Sequence, residues 1–391
     1  MAEFWNVTQQ VLFYLAIANV VLCGSICIRF LIGFCQIKRL GNEDPDSMAA
    51  LPKLSVIVAA LDEEKEVEGA LRSLLAQDYD DFEVIFVNDR STDCTGEIAD
   101  RLASEFDRLQ VVHIHELPKG WLGKNHALQV GARLAEGEFL LFTDADIVME
   151  PTTWRHAVAY AIENEIDHLP MMPEIRPHRW WIGSFMVLFV MYLYIYVRPW
   201  KVKNPKSKAH VGIGAFNLIR SSTYRAIGMH EPIRMRPDDD LMLGKLVKKN
   251  GFRQELLHAL GFIHLRHYTS LRETIQGMEK NAFSGVDYSV LTVVFSSMFA
   301  LVFNALPFVA VFFPLGVTQI LYGIVVGMLL GTAWVIAYVF RIKWWQVPAF
   351  PLAVLLFVYI QWRTMFVTFK NGGIRWRGTH YPLSELKANR V

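Results

Sequence analysis

The sequence predicts an α/β domain built on a doubly wound, mostly parallel sheet, with transmembrane helices at both ends of the chain. Three observations lead there. Short β-branched apolar runs alternate with helical repeats between Leu54 and Phe142, the pattern of parallel strands joined by right-handed crossovers. Several of those runs drop directly into acidic turns. The chain of 391 residues is 53% hydrophobic with a mean hydropathy of +0.25, and the apolar excess lies at its two ends.

Residues Val11 to Phe34 are apolar apart from Asn19, Arg29 and a few small polar residues, long enough to span a bilayer as a helix. No basic stretch precedes them, so a cleaved signal is not expected. Arg29, Lys38 and Arg39 toward and beyond the end of this segment place the following domain in the cytoplasm. After a polar linker from Asn42 to Pro52, Leu54–Ala60 reads as a buried parallel strand. A helix from Glu64 to Gln77 follows, with Val67, Leu71, Leu74 and Leu75 at helical spacing. Phe82–Val87 is a second strand, Thr95–Phe106 a second helix and Gln110–Ile114 a third strand. A basic, glycine-containing loop from Lys119 to Asn125 leads into a helix from His126 to Leu134. The fourth strand, Glu138–Phe142, ends at Thr143-Asp144-Ala145-Asp146.

Beyond Pro151 the alternation loosens. Trp181–Val197 is apolar and aromatic and is expected to lie in the membrane interface. His210–Ile219 reads as a strand whose Gly212 and Gly214 allow close backbone approach. Asp238-Asp239-Asp240 opens a helix running to Asn250, with Lys245, Lys248 and Lys249 toward its end, the charge order that suits the helix dipole. Phe252–His267 reads as short strands and Ser270–Phe283 as an amphipathic helix. Three apolar blocks follow at 288–313, 316–340 and 347–369. With the first segment they make four crossings, yet the tail from Lys370 to Arg377 is basic and argues for the cytoplasmic side. Either one block is re-entrant or interfacial, or Trp181–Val197 crosses. The expected division is an anchor at 1–40, a catalytic domain at 41–285 with its interfacial segment at 180–198, and membrane helices with a basic tail at 286–391.

The formal charge of +1 gives no field that would draw nucleic acid. The aromatic basic clusters Arg179-Trp180-Trp181, Lys343-Trp344-Trp345 and Arg375-Trp376-Arg377 border apolar segments, where such residues anchor at the membrane surface. Cys23, Cys27, Cys35 and Cys94 have no metal-site spacing and suggest no disulfide framework. His258, His264 and His267 fall irregularly on expected strands and read as structural.

Asp144 and Asp146 stand where open α/β sheets bind ligands, at the carboxyl edge. With no basic residue beside them in sequence, they repel unless a cation lies between. A divalent ion, Mg²⁺ or Mn²⁺, carrying a diphosphate fits hard oxygen ligands. Strand one ends at Asp62-Glu63-Glu64, strand two at Asn88-Asp89, and a later helix begins at Asp239-Asp240. Singly, each is a solvated turn or a helix cap. Together they stand in the order that a nucleotide-diphosphate-sugar site needs.

This arrangement resembles the family 2 glycosyltransferases, inverting enzymes of the GT-A fold, over about residues 53 to 285. Lys53-Leu54-Ser55-Val56-Ile57-Val58 through Ala60, Asp62 and Glu64 looks like that family's opening strand and donor turn, with Asp62 where Asn is usual. Val87-Asn88-Asp89 through Asp93 is similar to its second motif, which implies that Asp89 contacts the base or ribose. Lys119 and Lys124 match its basic loop, and Asp144-x-Asp146 its metal motif. Gly212-x-Gly214 is similar to its acceptor-side strand, and Asp239-Asp240 to its Glu-Asp motif, with Asp239 in place of Glu. Gln276 to Lys280 is the nearest equivalent of an acceptor-side Gln/Arg-x-x-Arg-Trp motif, without its Arg and Trp; Lys280 or Arg272 is left as the substitute charge. The single leading span, the apolar C-terminal end and Arg375-Trp376-Arg377-Gly378 resemble the members that glycosylate membrane lipids such as ceramide, carotenoid acids or hopanoids.

The resemblance implies an integral protein of a bacterial inner or cell membrane. Its cytoplasmic domain moves a sugar from a nucleotide-diphosphate sugar, expected to be a UDP-sugar, to a hydroxyl or carboxyl of a lipid. Asp240 serves as the base, beside Asp239. A processive polysaccharide or polyprenyl-linked sugar synthase is the alternative within enzymes. Outside enzymes the alternatives are a transporter, disfavoured by the scarcity of ionisable residues in the apolar segments, and an inactive nucleotide-sugar-binding scaffold, disfavoured by intact carboxylates at all three motif positions.

Overall fold

The computed structural model describes residues 2–41, 50–177, 179–266, 270–313 and 316–389; positions 42–49 of the expected linker, and His267, lie outside them. Packing divides the chain into two units that do not follow sequence order. A globular unit takes 37–175, 197–266 and 371–391, and an apolar unit takes 1–36, 176–196 and 267–370. The expected boundary at 285 had put the tail with the apolar helices.

The chain opens with α1 (Ala2–Phe34). The alternating part follows as β1 (Leu54–Ala60), α2 (Val67–Leu75), β2 (Phe82–Asp89), α3 (Thr95–Glu105), β3 (Leu109–Ile114), α4 (Gly123–Leu134) and β4 (Phe139–Asp144). Then come β5 (Ile147–Met149), α5 (Thr153–Glu163), β6 (His168–Arg176) and α6 (Trp180–Val197). They are followed by β7 (Asn217–Arg220), α7 (Ser221–Ala226), α8 (Asp239–Lys249) and β8 (Leu257–Arg266). The apolar C-terminal half holds α9 (Leu271–Ala282), α10 (Val290–Phe299), α11 (Leu306–Ala310), α12 (Val317–Val339) and α13 (Phe350–Lys370). The chain closes with β9 (Gly373–Trp376), β10 (Thr379–Pro382) and α14 (Leu383–Ala388).

Eight strands form one sheet in the order β3-β2-β1-β4-β7-β6-β8-β5. The first four run parallel, and β7 pairs antiparallel with both β4 and β6. The strands are apolar on both faces because both faces are covered. Leu54, Val56 and Val58 of β1 pack with Leu71 of α2, Leu102 of α3 and Trp154 of α5. Ile57, one residue out of phase, packs with Leu128 of α4 and Leu243 and Val247 of α8 on the other side. That is the three-layer arrangement expected of alternating strands and helices.

The expected strand at His210–Ile219 is shorter than the sequence suggests. Only Asn217–Arg220 pairs in the sheet, and residues 211–216 run as irregular chain. The reason is steric. A Cβ on Gly212 would stand 1.8 Å from the carbonyl oxygen of Asp240, and one on Gly244 would stand 2.0 Å from the carbonyl oxygen of Val211. These glycines let the segment lie directly on the first turns of α8, so their close approach is to a helix backbone.

In the apolar unit, α10 passes into a π-helical stretch, Ala300–Ala305, before α11. The buried Asn19 of α1 donates through Nδ2 to the carbonyl of Val302 at 3.2 Å, within this stretch. Arg363 of α13 donates through Nε to the carboxylate of Glu279 on α9 at 2.7 Å. Five helices among the described residues are long and apolar enough to cross a membrane: 7–34, 180–201, 290–310, 317–339 and 344–370.

Gly244→Ala tests the close approach. Backbone meets the added methyl, so we expect a loss of about 1–3 kcal/mol in stability, as for overpacking generally. Chemical denaturation of the detergent-solubilised protein measures it; an unchanged midpoint means that the segment can move aside.

Candidate active site

Register brings the acidic turns together. Ala60 of β1 pairs with Asn88 of β2, and Ala59 pairs with Asp144 of β4. The ends of these parallel strands therefore open on one edge of the sheet. The turns after β1 and β2 are tied to each other by side chains. The Oδ1 of Asp62 accepts the Thr92 N–H at 2.8 Å, and the Asp62 N–H donates to Ser91 Oγ at 3.1 Å. The Oε2 of Glu64 accepts the Cys94 N–H at 3.2 Å. Asp62 holds a positive φ of 54° to make this turn. Asp89 is buried and accepts both Nε and Nη2 of Arg90, at 2.7 and 3.0 Å.

Beyond β4 lies a cleft lined by Lys124, Asp144, Gly214, His230, Asp239 and Asp240 among others. A Cβ placed on Gly214 would lie 2.9 Å from Asp144 Oδ2 and 3.4 Å from Asp240 Oδ2. The two carboxylates are thus aimed at one spot, and a glycine leaves room for them. The sequence offered Asp144 no neighbouring cation, but the fold supplies one. Lys124, on the first turn of α4, donates to Asp144 Oδ1 at 2.7 Å and lies 3.7 Å from Asp239. Burial works against the Lys124 ammonium, yet Asp144, Asp239 and Asp240 outweigh it, and its pKa lies above the usual lysine value.

Two carboxyls carry the opposite strain. Asp240 is pushed up to about 7 by burial and then by Asp239, with Lys124 pulling against them. Asp146 is pushed up to about 7 by burial, then by Asp144 and Glu63. Perturbed carboxyls gathered in a cleft mark candidate functional groups. Asp240 also accepts the Leu241 N–H at 2.7 Å, a bond to its immediate neighbour and not the reach to the second or third residue that an N-cap makes. Asp238, at the N-cap, gives no side-chain cap and instead holds the buried Arg236 through two bonds of 2.9 and 2.8 Å.

The loop before α8 is held by a residue the sequence did not single out for a role. The Nδ2 of Asn125 donates to the carbonyls of Ile233, Arg234 and Arg236 at 2.9, 3.3 and 2.9 Å. This fixes Asp239 and Asp240 relative to α4, and so to Lys124. His230, in the wall of the cleft, meets the Tyr224 hydroxyl at 2.5 Å. Burial, and secondarily Lys124, drops its pKa to about 3, so it is a neutral hydrogen-bonding group. A lone histidine in a loop gives no sequence signal for this position.

The structure places the other expected site residues on these elements. Lys119 is exposed on its loop and does not line the cleft. Gly212 packs on α8. Gln276 and Lys280 lie on α9 in the apolar unit, with the Lys280 side chain outside the described residues. Among the described residues, no three or more His, Cys, Asp or Glu side chains come together to hold a metal by themselves. Asp144 and Asp146 offer hard carboxylate oxygens at the strand end, with Asp146 carrying the burden of unrelieved negative charge.

Residues 55–228 match the family model described as glycosyl transferase family 2. The chain is 31% identical over 117 residues to an uncharacterized glycosyltransferase, EpsJ, of Bacillus subtilis, covering 30% of this chain and 33% of that protein. It is 31% identical over 149 residues to a beta-monoglucosyldiacylglycerol synthase of Trichormus variabilis, covering 36% of this chain and 31% of that one. The chain thus spans about a third of the length of these curated relatives. Among solved structures, it superposes on the mannosyltransferase PcManGT of Pyrobaculum calidifontis, in complex with GDP-Man and Mn²⁺. The TM-score is 0.54 at 17% identity, over 90% of this chain and 99% of that one. That likeness shows the fold.

The raised carboxyls make a prediction about charge. Each is protonated in the folded chain at a pH where the unfolded chain has released its proton, so each contributes a stability that falls as pH rises from about 4 toward 7. A titration of carboxyl bands by infrared difference spectroscopy should find two groups near pH 7. Lys124→Met should move Asp240 higher, and Asp144→Asn should move Asp146 lower. Absence of any carboxyl titrating above pH 5.5 contradicts this description of the cleft.

Proposed function

We propose that this chain, which carries a family 2 glycosyltransferase domain, transfers a sugar from a nucleotide-diphosphate sugar to a hydroxyl or carboxyl of a membrane lipid, inverting the anomeric centre. The observation that carries the reading is the cleft in which Lys124, Asp144, Asp239 and Asp240 meet at the carboxyl edge of parallel strands. The donor's nucleoside end lies against Asp89, and its diphosphate against Asp144, Asp146 and Lys124. Uridine is the expected base; the solved relative bound GDP-Man, so both bases belong in the test.

Asp144 and Asp146 suit a divalent ion. Two protein carboxylates, with donor phosphates and water for the remaining ligands, is the way Mg²⁺ is commonly held. Such an ion, Mg²⁺ or Mn²⁺, would supply Lewis-acid stabilisation of the charge that builds on the departing diphosphate. Lys124 adds a fixed positive charge beside the same carboxylates. The acceptor oxygen attacks the anomeric carbon from the face opposite the diphosphate. The carbon–oxygen bond to the acceptor forms as that to the phosphate breaks. A hydroxyl acceptor's proton passes to Asp240, and the nucleoside diphosphate leaves with the bonding pair. A carboxyl with a pKa near 7 is well matched to this work at neutral pH.

A lipid acceptor is supported by the apolar helices carried on the same chain and by the relative named a diacylglycerol glycolipid synthase. The strand pairing also supports a topology. Strands β6 and β7 pair in one sheet, so the chain between them crosses the bilayer an even number of times. One helix, α6, cannot do that by spanning, and the segment 180–201 is more buried in protein than the first apolar segment. It is therefore re-entrant or interfacial. Tyr381 of the tail accepts a hydrogen bond from Gly123, so the chain between β8 and the tail also crosses an even number of times. Two of its three long apolar helices span. With α1 this makes three crossings. The globular unit, flanked by Lys38, Arg39, Lys370, Arg375 and Arg377, lies in the cytoplasm of a bacterial inner or cell membrane.

Incubating the purified membrane protein with labelled UDP- and GDP-sugars and a lipid extract should yield a labelled lipid carrying one sugar, and EDTA should abolish it. A polymeric product would indicate a processive synthase instead. Asp240→Asn should lower turnover by about 10²–10⁴-fold while donor binding persists. Near-wild-type turnover removes Asp240 from the role of base.

A further inference from the structure

The last residues of the chain return to the globular unit, outside the stretch that the family model covers. Strands β9 and β10 form a hairpin in which Trp376 pairs with Thr379 and Tyr381 with Ile374. Two residues make its turn, Arg377 and Gly378, both at positive φ (47° and 78°). Such two-residue turns favour Asn-Gly or Gly-Gly, because a bulky side chain there strains the backbone. An arginine is therefore an unexpected choice, and its side chain has a use. The guanidinium donates to the carbonyl of Leu61 and to the carboxylate of Glu63, in the turn that ends β1.

The other anchor is Tyr381, buried to 5% exposure. Its hydroxyl accepts the N–H of Gly123 at 3.2 Å. A Cβ on Gly123 would lie 2.3 Å from Asp89 Oδ2 and 2.7 Å from Arg90 Nη2. Tyr381 thus reaches the spot where Asp89 and Arg90 meet the start of α4. The side chains of Ile374, Trp376, Thr379 and Tyr381 share one face of the hairpin, and Ile374 and Tyr381 are buried against the domain. One short hairpin therefore spans the ends of β1 and β2, where the donor's nucleoside end is assigned above.

We propose that the hairpin 373–382 is the outer wall of the nucleoside pocket of a nucleoside-diphosphate donor, with Trp376 giving it an aromatic face, Arg377 fastening it to the Leu61–Glu63 turn and Tyr381 fastening it to the start of α4. The inference rests on the reading of this edge as the donor site. Arg377 and Tyr381 are positioning residues in it. Such a wall suits a nucleobase and ribose, which bind through ring stacking and a few hydrogen bonds.

The test is binding of UDP and of GDP to the full-length protein in detergent, by calorimetry with Mg²⁺ present. Arg377→Asn keeps the hairpin, since Asn-Gly is the pair this turn prefers, and removes the guanidinium. Tyr381→Phe keeps the ring and removes the acceptor for Gly123. Each should weaken the nucleoside diphosphate that the wild type binds by about tenfold, the scale of one lost charged or buried hydrogen bond. The donor KM should rise in parallel, with kcat at saturating donor and thermal stability close to wild type. Wild-type affinity in both variants overturns the hairpin's role while leaving the donor site standing. A lowered melting temperature with unchanged affinity also overturns it, since the hairpin is then structural only. A wild-type protein that binds neither nucleotide overturns the donor-site reading together with this one.

Discussion

The site depends on one ammonium group in a cage of carboxylates. Asp144, Asp146, Asp239 and Asp240 come from two distant parts of the chain, and without compensation their mutual repulsion would oppose folding. Lys124 compensates two of them at short range. Burial, and then Asp239 beside Asp240 and Asp144 beside Asp146, pushes these two carboxyls up to about 7, and Lys124 offsets this only in part. The cleft is thus a place where negative charge is concentrated and incompletely balanced. That is poor ground for a static core but useful for receiving a cation with its diphosphate and for accepting a proton.

Positioning Lys124 requires the rest of the domain. The parallel pairing of β1 with β2 and β4 puts three acidic turns on one edge. Helix α4 starts beneath that edge, and Asn125, next to Lys124, fastens the 233–236 loop through three carbonyls. Gly212 and Gly244 then let that loop's helix, α8, lie against the chain at 211–214. Each tie shortens the distance between an acidic residue and the lysine that offsets it. The same edge is reached from the far end of the chain by Arg377 and Tyr381.

The fold was legible where it is local and periodic. The first strand was read to the residue, and the fourth to within two residues at either end, because strands covered on both faces are unbroken apolar runs. The acidic turns were legible as a set because each follows such a run directly. Lys124 was legible as a basic residue but not as the partner of Asp144, since the two stand twenty positions apart with a helix between them. The glycines at 212 and 214 were read as a strand near a ligand. Gly212 meets the backbone of a helix, Gly214 faces the cleft, and spacing alone does not distinguish these neighbours. The tail was read as membrane-surface signal. Its contact with Glu63 joins residues 314 positions apart, and nothing local announces it. Asn125 and His230 carry no periodic signature; only a fold shows what they hold.

The central claim is that the carboxylates at the end of β4 form a cation site completed by a nucleoside diphosphate. Electron paramagnetic resonance of Mn²⁺ added to the purified protein measures this directly. The account predicts weak Mn²⁺ binding alone, binding strengthened when UDP or GDP is present, and loss of that strengthening in Asp144→Asn. Mn²⁺ binding that ignores both the nucleotide and Asp144 would contradict it.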